Sequence, residues 1–326
     1  MINLRGLTDK QHLNPLAAAI TVSTWTLPAV TPALMGLQIF APLPAFYYLL
    51  ESGRIRGLIT VTLALLISGA ISSFIGQSGA FIFTLLMLPS GITLALEARN
   101  KHDAPIRAGL YAFLVLILGW ALWAFVYGIS QPGSSGLYGD IVVSLDQGLV
   151  EVGKTLKENA QLAPEQALEI ESTLTGLRGL LPKVMPGLLL ITMLNTVFFN
   201  MITGQYLLRR KNAALAPWPE FATWRLPEPL VGMVILAGTC LLVPVQLINY
   251  FGLNLLLVSG TLYFFQGLTL LTSLLNRWSV PGALRFLIFL LVLVQAYGIV
   301  ILAVAGLVDV WADFRKPRPK PDVFED

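Results

Sequence analysis

Apolar positions in this chain gather into long uninterrupted segments, and polar positions are confined to short stretches between them. Segments 110–127, 185–208, 230–247 and 286–308 contain no charged residue, and about 20 apolar residues suffice to cross a hydrocarbon core about 30 Å thick as a helix. The pattern predicts spans at 16–34, 36–50, 57–74, 80–96, 108–129, 184–208, 229–247, 253–275 and 284–308. Pro28, Pro32, Pro42 and Pro44 interrupt the first two, and 36–50 is short for a crossing, so one of that pair is expected to be broken or re-entrant. The predicted fold is all-α: a polytopic transmembrane helix bundle of eight or nine spans, forming a single membrane domain over 1–326.

Charge sets the orientation. Thirteen of the 21 basic residues, from Arg5 and Lys10 through Arg54, Arg56, Arg99, Lys101, Arg107, Arg209, Arg210, Lys211, Arg225, Arg277 and Arg285, fall in loops on one side. The positive-inside rule makes that side cytoplasmic. Nine crossings would place Arg315, Lys316, Arg318 and Lys320 outside, against the same rule, so eight crossings and a cytoplasmic C-terminus are expected.

The long loop 131–181 has a different composition, with seven acids against three bases, and falls on the extracytoplasmic side. Ile141, Leu145, Leu149, Val152 and Leu156 recur at helical spacing, and so do Ala167, Ile170, Leu174, Leu177 and Leu181 after Pro164. This predicts an amphipathic helical hairpin, either resting on the outer rim of the bundle or covering an outward-facing cavity.

A hydrophobic fraction of 56%, a charged fraction of 12% and a mean hydropathy of +0.74 leave too little polar surface for a soluble globule of 326 residues. The apolar series begins at Leu16 and never gives way to a soluble domain, unlike a signal peptide. A net charge of +3 does not imply nucleic acid, because the bases sit at span ends rather than along one face. Cys240 stands alone inside an apolar span and reads as a small buried hydrophobe. No phosphate-binding glycine loop, HExxH, CxxC or paired histidine is present, which argues against an enzyme, a cofactor and a metal site. His12 and His102 fall at predicted span ends, where an imidazole is simply solvated.

The span interiors carry neutral polar groups instead of ionisable ones, which argues against proton coupling. Thr192, Asn195, Asn200 and Thr203 share one face of the sixth span; Asn254, Thr261 and Thr272 align on the eighth, with Ser259 and Gln266 to one side and Gly260 and Gly267 offering small surfaces; Gln295 lies mid-way along the ninth. Two readings follow. These groups hydrogen-bond helix to helix, or Asn195, Asn200, Asn254, Gln266 and Gln295 line a cavity for a polar or amphipathic small molecule.

The final stretch reads Gly306-Leu-Val-Asp309-Val-Trp311-Ala-Asp313-Phe314-Arg315-Lys316, opening a short polar tail over 309–326. With Trp224, Leu226-Pro227, Asn254 and Gln266-Gly267-Leu268, it resembles the YybS-like family of uncharacterised bacterial membrane proteins. That family is distantly similar to the substrate-binding S components of energy-coupling factor vitamin transporters. The resemblance implies a helical bundle in the bacterial inner membrane and small-molecule capture, and no known activity. Simple S components have about six spans, without the extra C-terminal spans and acidic hairpin found here. Trp311 suits an interfacial belt, and Asp309 and Asp313 stand one helical turn apart near Arg315. This end is read either as an ion-paired helix terminus or as a docking surface for a cytoplasmic or membrane protein partner, made by Trp224, Asp309, Trp311, Asp313 and Arg315. The sequence thus points to a multi-pass inner-membrane protein that binds or transports a small molecule without catalysis of its own, or to a scaffold that organises partners at the bilayer.

Overall fold

A computed structural model describes residues 15–99, 105–131, 133–159 and 164–315. Arg5, Lys10, His12, Lys101, His102, Lys316, Arg318 and Lys320, and most of the 309–326 tail, lie outside the described residues. Every regular element among the described residues is a helix. The chain divides into two units, Met1–Ser130 with Met193–Trp218, and Gln131–Thr192 with Pro219–Asp326.

The first unit holds α1 (Pro15–Val30), a 3-10 helix (Pro32–Phe40), α2 (Leu43–Glu51), α3 (Arg54–Phe74), α4 (Ser78–Ala98) and α5 (Pro105–Ser130). Prolines punctuate its start. Thr31 before Pro32 is extended (φ −130°, ψ 110°), as the proline ring demands of its predecessor, and the 3-10 helix meets α2 at 40° across Ala41-Pro42. The buried core of Trp25, Ala41, Ala45, Val61, Ala64 and Leu88 mixes one large ring with small residues, and the Trp25 indole N–H donates to the Ala41 carbonyl at 3.0 Å. Backbones approach closely where glycine allows it: a β-carbon at Gly91 would strike the Pro42 carbonyl, and one at Gly57 would lie 2.5 Å from that of Tyr48. Leu118, Leu122, Phe125 and Ile129 form an exposed apolar stripe along α5, a surface suited to lipid rather than water.

The second unit holds α6 (Gly136–Asn159), the N-terminal part of α7 (Pro164–Lys211), α8 (Val231–Leu242), α9 (Gln246–Arg277), α10 (Gly282–Val294) and α11 (Ala296–Ala312). α9 packs against α8 and α11. At the α9–α11 crossing, β-carbons at Gly267 or Gly306 would strike the Leu302 or Tyr263 carbonyl, whereas Gly260 has nothing within 4 Å. One of the two glycines singled out on α9 therefore makes a helix contact.

Helix α7 departs most from expectation. Separate helices were expected over the loop and over 184–208, yet one helix of 48 residues runs through both Pro182 and Pro186. Glu165 in its first turn and Arg209, Arg210 and Lys211 in its last complement the helix dipole. At about 1.5 Å per residue it rises about 72 Å, more than twice a hydrocarbon core.

Among the described residues, five helices are long and apolar enough to cross a membrane, or up to seven if each bent pair counts as one span, against the eight or nine expected. The difference has four local causes. Pro32 follows the end of α1, which has 16 described residues, a 40° bend divides the next expected span between the 3-10 helix and α2, Val243-Pro244 ends α8 after 12 residues, and the expected ninth span bends by 103° between α10 and α11. Expectation placed the main break among the early prolines. The sharper one lies at Gln295, which is extended (φ −94°, ψ 120°), and Gly298 permits the turn because a β-carbon there would stand 2.5 Å from the Val292 carbonyl oxygen.

Candidate functional site

Helix α6 runs antiparallel to the start of α7, held by Tyr138 to Pro182, Asp146 to Arg178, and contact between Gly153 and Leu174. The Arg178 Nε donates to Asp146 Oδ1 at 2.5 Å and Nη2 to Oδ2 at 2.8 Å. This two-point hydrogen bond holds the Asp146 carboxyl below its usual range, and the same bond raises the Arg178 guanidinium above its own. Between the helices lies a cleft of about 330 Å³, within the lower part of the range of small-molecule sites. Val142, Leu145 and Leu149 line one wall and Leu181, Pro182 and Met185 the other, with Asp146, Gln147 and Arg178 as its polar members.

The floor of this cleft is the proline segment of α7. Pro186 has no N–H, so the Pro182 carbonyl loses its partner one turn on; the Tyr138 hydroxyl donates to that carbonyl instead, at 2.6 Å. The next rung carries a side chain from another helix. Asn254 of α9 accepts the Gly187 N–H at 2.6 Å and donates to the Lys183 carbonyl at 2.7 Å, and its Nδ2 also reaches the Tyr250 carbonyl at 2.7 Å. The carbonyl that Pro186 frees is thus satisfied by a neighbouring side chain, which is one way proline is accommodated inside a long apolar helix.

The remaining polar residues of the spans divide between the units. In the first, Asn195 is half-buried, while buried Asn200 donates to the Ile39 carbonyl at 2.6 Å and the Thr196 carbonyl at 2.5 Å. The Asn200 Oδ1 is buried with no hydrogen-bond partner among the described residues. In the second, the Gln266 Oε1 accepts the Leu226 N–H at 3.0 Å, and Gln295 is exposed at the α10–α11 bend.

Four of the five residues assigned to docking converge on one cluster. Asp309 is buried on α11, and Arg315 meets its Oδ2 at 3.0 Å. The Arg315 guanidinium also donates to the carbonyls of Ala222 and Trp224, both at 2.9 Å, and to the Thr269 hydroxyl at 2.8 Å. Burial lowers the Arg315 guanidinium from its usual value although Asp309 favours the charged form. Asp313 leaves the helix in the left-handed region (φ 42°) and pairs with Arg225 at 2.5 Å. Trp224 donates its indole N–H to the Pro219 carbonyl at 3.1 Å. Trp311 alone turns outward, 67% exposed.

Sequence reasoning missed Tyr138 and Gly187, and it counted Asp146 and Arg178 only as loop charges. The two prolines within an apolar run were the available signal. Among the described residues, no cluster of three or more His, Cys, Asp or Glu is placed to hold a metal ion.

Long apolar helices, lipid-suited exposed faces and polar groups turned inward define a multi-pass α-helical membrane protein. The chain belongs to the family described as Predicted membrane protein (DUF2232), whose match spans residues 16–310. No curated protein and no solved structure matches it.

Proposed function

We propose that this protein is an integral inner-membrane binding or transport component, without catalysis of its own, that receives a small amphipathic molecule in the cleft between α6 and α7. The observation that carries this reading is the cleft itself, placed where α7 passes from its amphipathic part into its apolar part. About 30 Å of α7 is accommodated by the apolar stretch after Lys183, so the helix before Pro182 extends beyond the hydrocarbon. The basic residues closing α7 and opening α3 support an orientation with the α6–α7 arm outside the cytoplasm and the C-terminus within it, which makes eight crossings when the short α1 and α8 are counted as spans and the bent α10–α11 pair as re-entrant. The resemblance to the YybS-like family, and through it to vitamin-capturing S components, supports the same class.

The site differs from the interior cavity expected between polar spans. Asn254 and Gln266 already have backbone partners, whereas the α6–α7 cleft offers open volume. A scaffold role has one specific support, the outward Trp311 beside the internally paired Asp309 and Arg315.

Native mass spectrometry of the full-length protein released from nanodiscs tests the reading. A discrete small molecule retained through exchange with excess lipid is expected. Only exchangeable bulk lipid, or no adduct in any preparation, would overturn it.

A further inference from the structure

Resting on that reading, the lining of the cleft narrows the class of its ligand. Both Asp146 oxygens are engaged by Arg178, one by Nε and one by Nη2. A guanidinium carries five N–H donors, so Arg178 keeps donors, including both on Nη1, that no described partner takes up. It is also accessible, at 46%. The polar end of the cleft therefore presents hydrogen-bond donors on a fixed positive group, held in place by the carboxylate beside it. The next acid along α7 is Glu171, about 10.5 Å away along the axis and near one screening length at physiological salt.

The rest of the lining is apolar, from Leu145 and Leu149 on α6 to Leu181 and Met185 on α7. Met185 is buried and opens the uncharged part of α7, so the apolar end of the cleft is continuous with the segment that enters lipid. A molecule filling this site needs an apolar body toward Met185 and an acceptor-rich head toward Arg178. The volume of about 330 Å³ suits one chain rather than two.

We infer that the α6–α7 cleft binds a single-chain anionic amphiphile, its carboxylate or phosphate head on Arg178 and its apolar chain against Leu149, Leu181 and Met185. Guanidinium groups recognise both heads through paired N–H donors.

The test uses full-length protein in zwitterionic nanodiscs with the fluorescent fatty acid dansylaminoundecanoate and its methyl ester as probes. Saturable binding of the acid is expected, with Arg178→Gln weakening it by about tenfold or more while leaving the ester unchanged, as loss of a charge-assisted bond implies. Leu149→Trp, which fills the apolar wall, should remove binding of both probes. Displacement by a fatty acid but not by a lysophosphatidate assigns a carboxylate head, and the reverse assigns a phosphate. Equal affinity of acid and ester, or unchanged binding in Leu149→Trp, would overturn the inference. A retained molecule without an anionic head would also overturn it while leaving the binding-component reading intact.

Discussion

The amide of Asn254 stands in the hydrogen-bond ladder of α7, accepting the Gly187 N–H at 2.6 Å while donating to the Lys183 carbonyl at 2.7 Å. The contact joins residues 67 apart in sequence. It stabilises α7 just after Pro186 and tethers that point to α9. A β-carbon at Gly187 would lie 2.6 Å from the Asn254 Oδ1, so Gly187→Ala displaces the amide and Asn254→Leu removes it. Each should lower stability by about 1–3 kcal/mol, the usual cost of leaving a buried backbone group unpaired. Thermal unfolding in detergent measures this; an unchanged melting temperature in both variants would contradict the assigned role.

The Asp309–Arg315 pair is almost fully buried, with side chains 0% and 7% exposed. Removing one partner leaves a buried charge uncompensated, so Asp309→Leu should destabilise by about 3–5 kcal/mol. The double variant Asp309→Leu with Arg315→Met should lose less than the sum of the two single variants, because neither charge then remains stranded. Denaturant unfolding of the four proteins is the check, and strict additivity would mean that the pair is not coupled.

Acid should loosen the α6–α7 pairing only at low pH. Asp146 has a folded-state pKa below the ordinary 3.8 because Arg178 hydrogen-bonds its carboxylate. Its contribution is fully present above the unfolded value and is lost as pH falls through the lower folded value. Hydrogen exchange across α6 should therefore be flat from about pH 5 to 8 once corrected for intrinsic rates, and rise below the ordinary aspartate value. Arg178→Gln should abolish that acid-dependent step, and an unaltered step would assign it elsewhere.

The α10–α11 bend depends on Gly298. Its missing β-carbon leaves room for the Val292 carbonyl, so Gly298→Leu should force the two helices apart. Cysteine accessibility along α10, in a Cys240→Ala background, should change register in that variant. Identical labelling with and without the substitution would contradict the bend.

These relationships explain what the sequence disclosed and what it hid. Apolar run length made α3, α4, α5 and α9 legible, because helix formation in lipid is dictated locally by the need to satisfy every backbone group. Pro182 and Pro186 instead suggested a boundary, since the side chains that bond the backbone there, Tyr138 to the freed Pro182 carbonyl and Asn254 to the Lys183 carbonyl, lie 44 and 71 residues from their acceptors. Gln295 read as an interior polar group and is an exposed break, a distinction that rests on the close approach of Gly298 to Val292. Asp309 and Asp313 read as one helical face, but the left-handed turn at Asp313 separates them, sending one to Arg315 and the other to Arg225. The cleft was illegible because antiparallel register between α6 and α7 decides which residues of each stripe face each other.

The central claim is that a ligand lies between α6 and α7, and site-specific photo-crosslinking tests it most directly. A benzoylphenylalanine side chain is placed at Val143, on the exposed rim of the cleft, and separately at Leu168, which is 69% exposed on α7. After irradiation of full-length protein in native membrane extracts, intact-mass analysis should find one discrete small-molecule adduct at position 143 and none at 168. No adduct at 143, or the same adducts at both positions, would contradict the account.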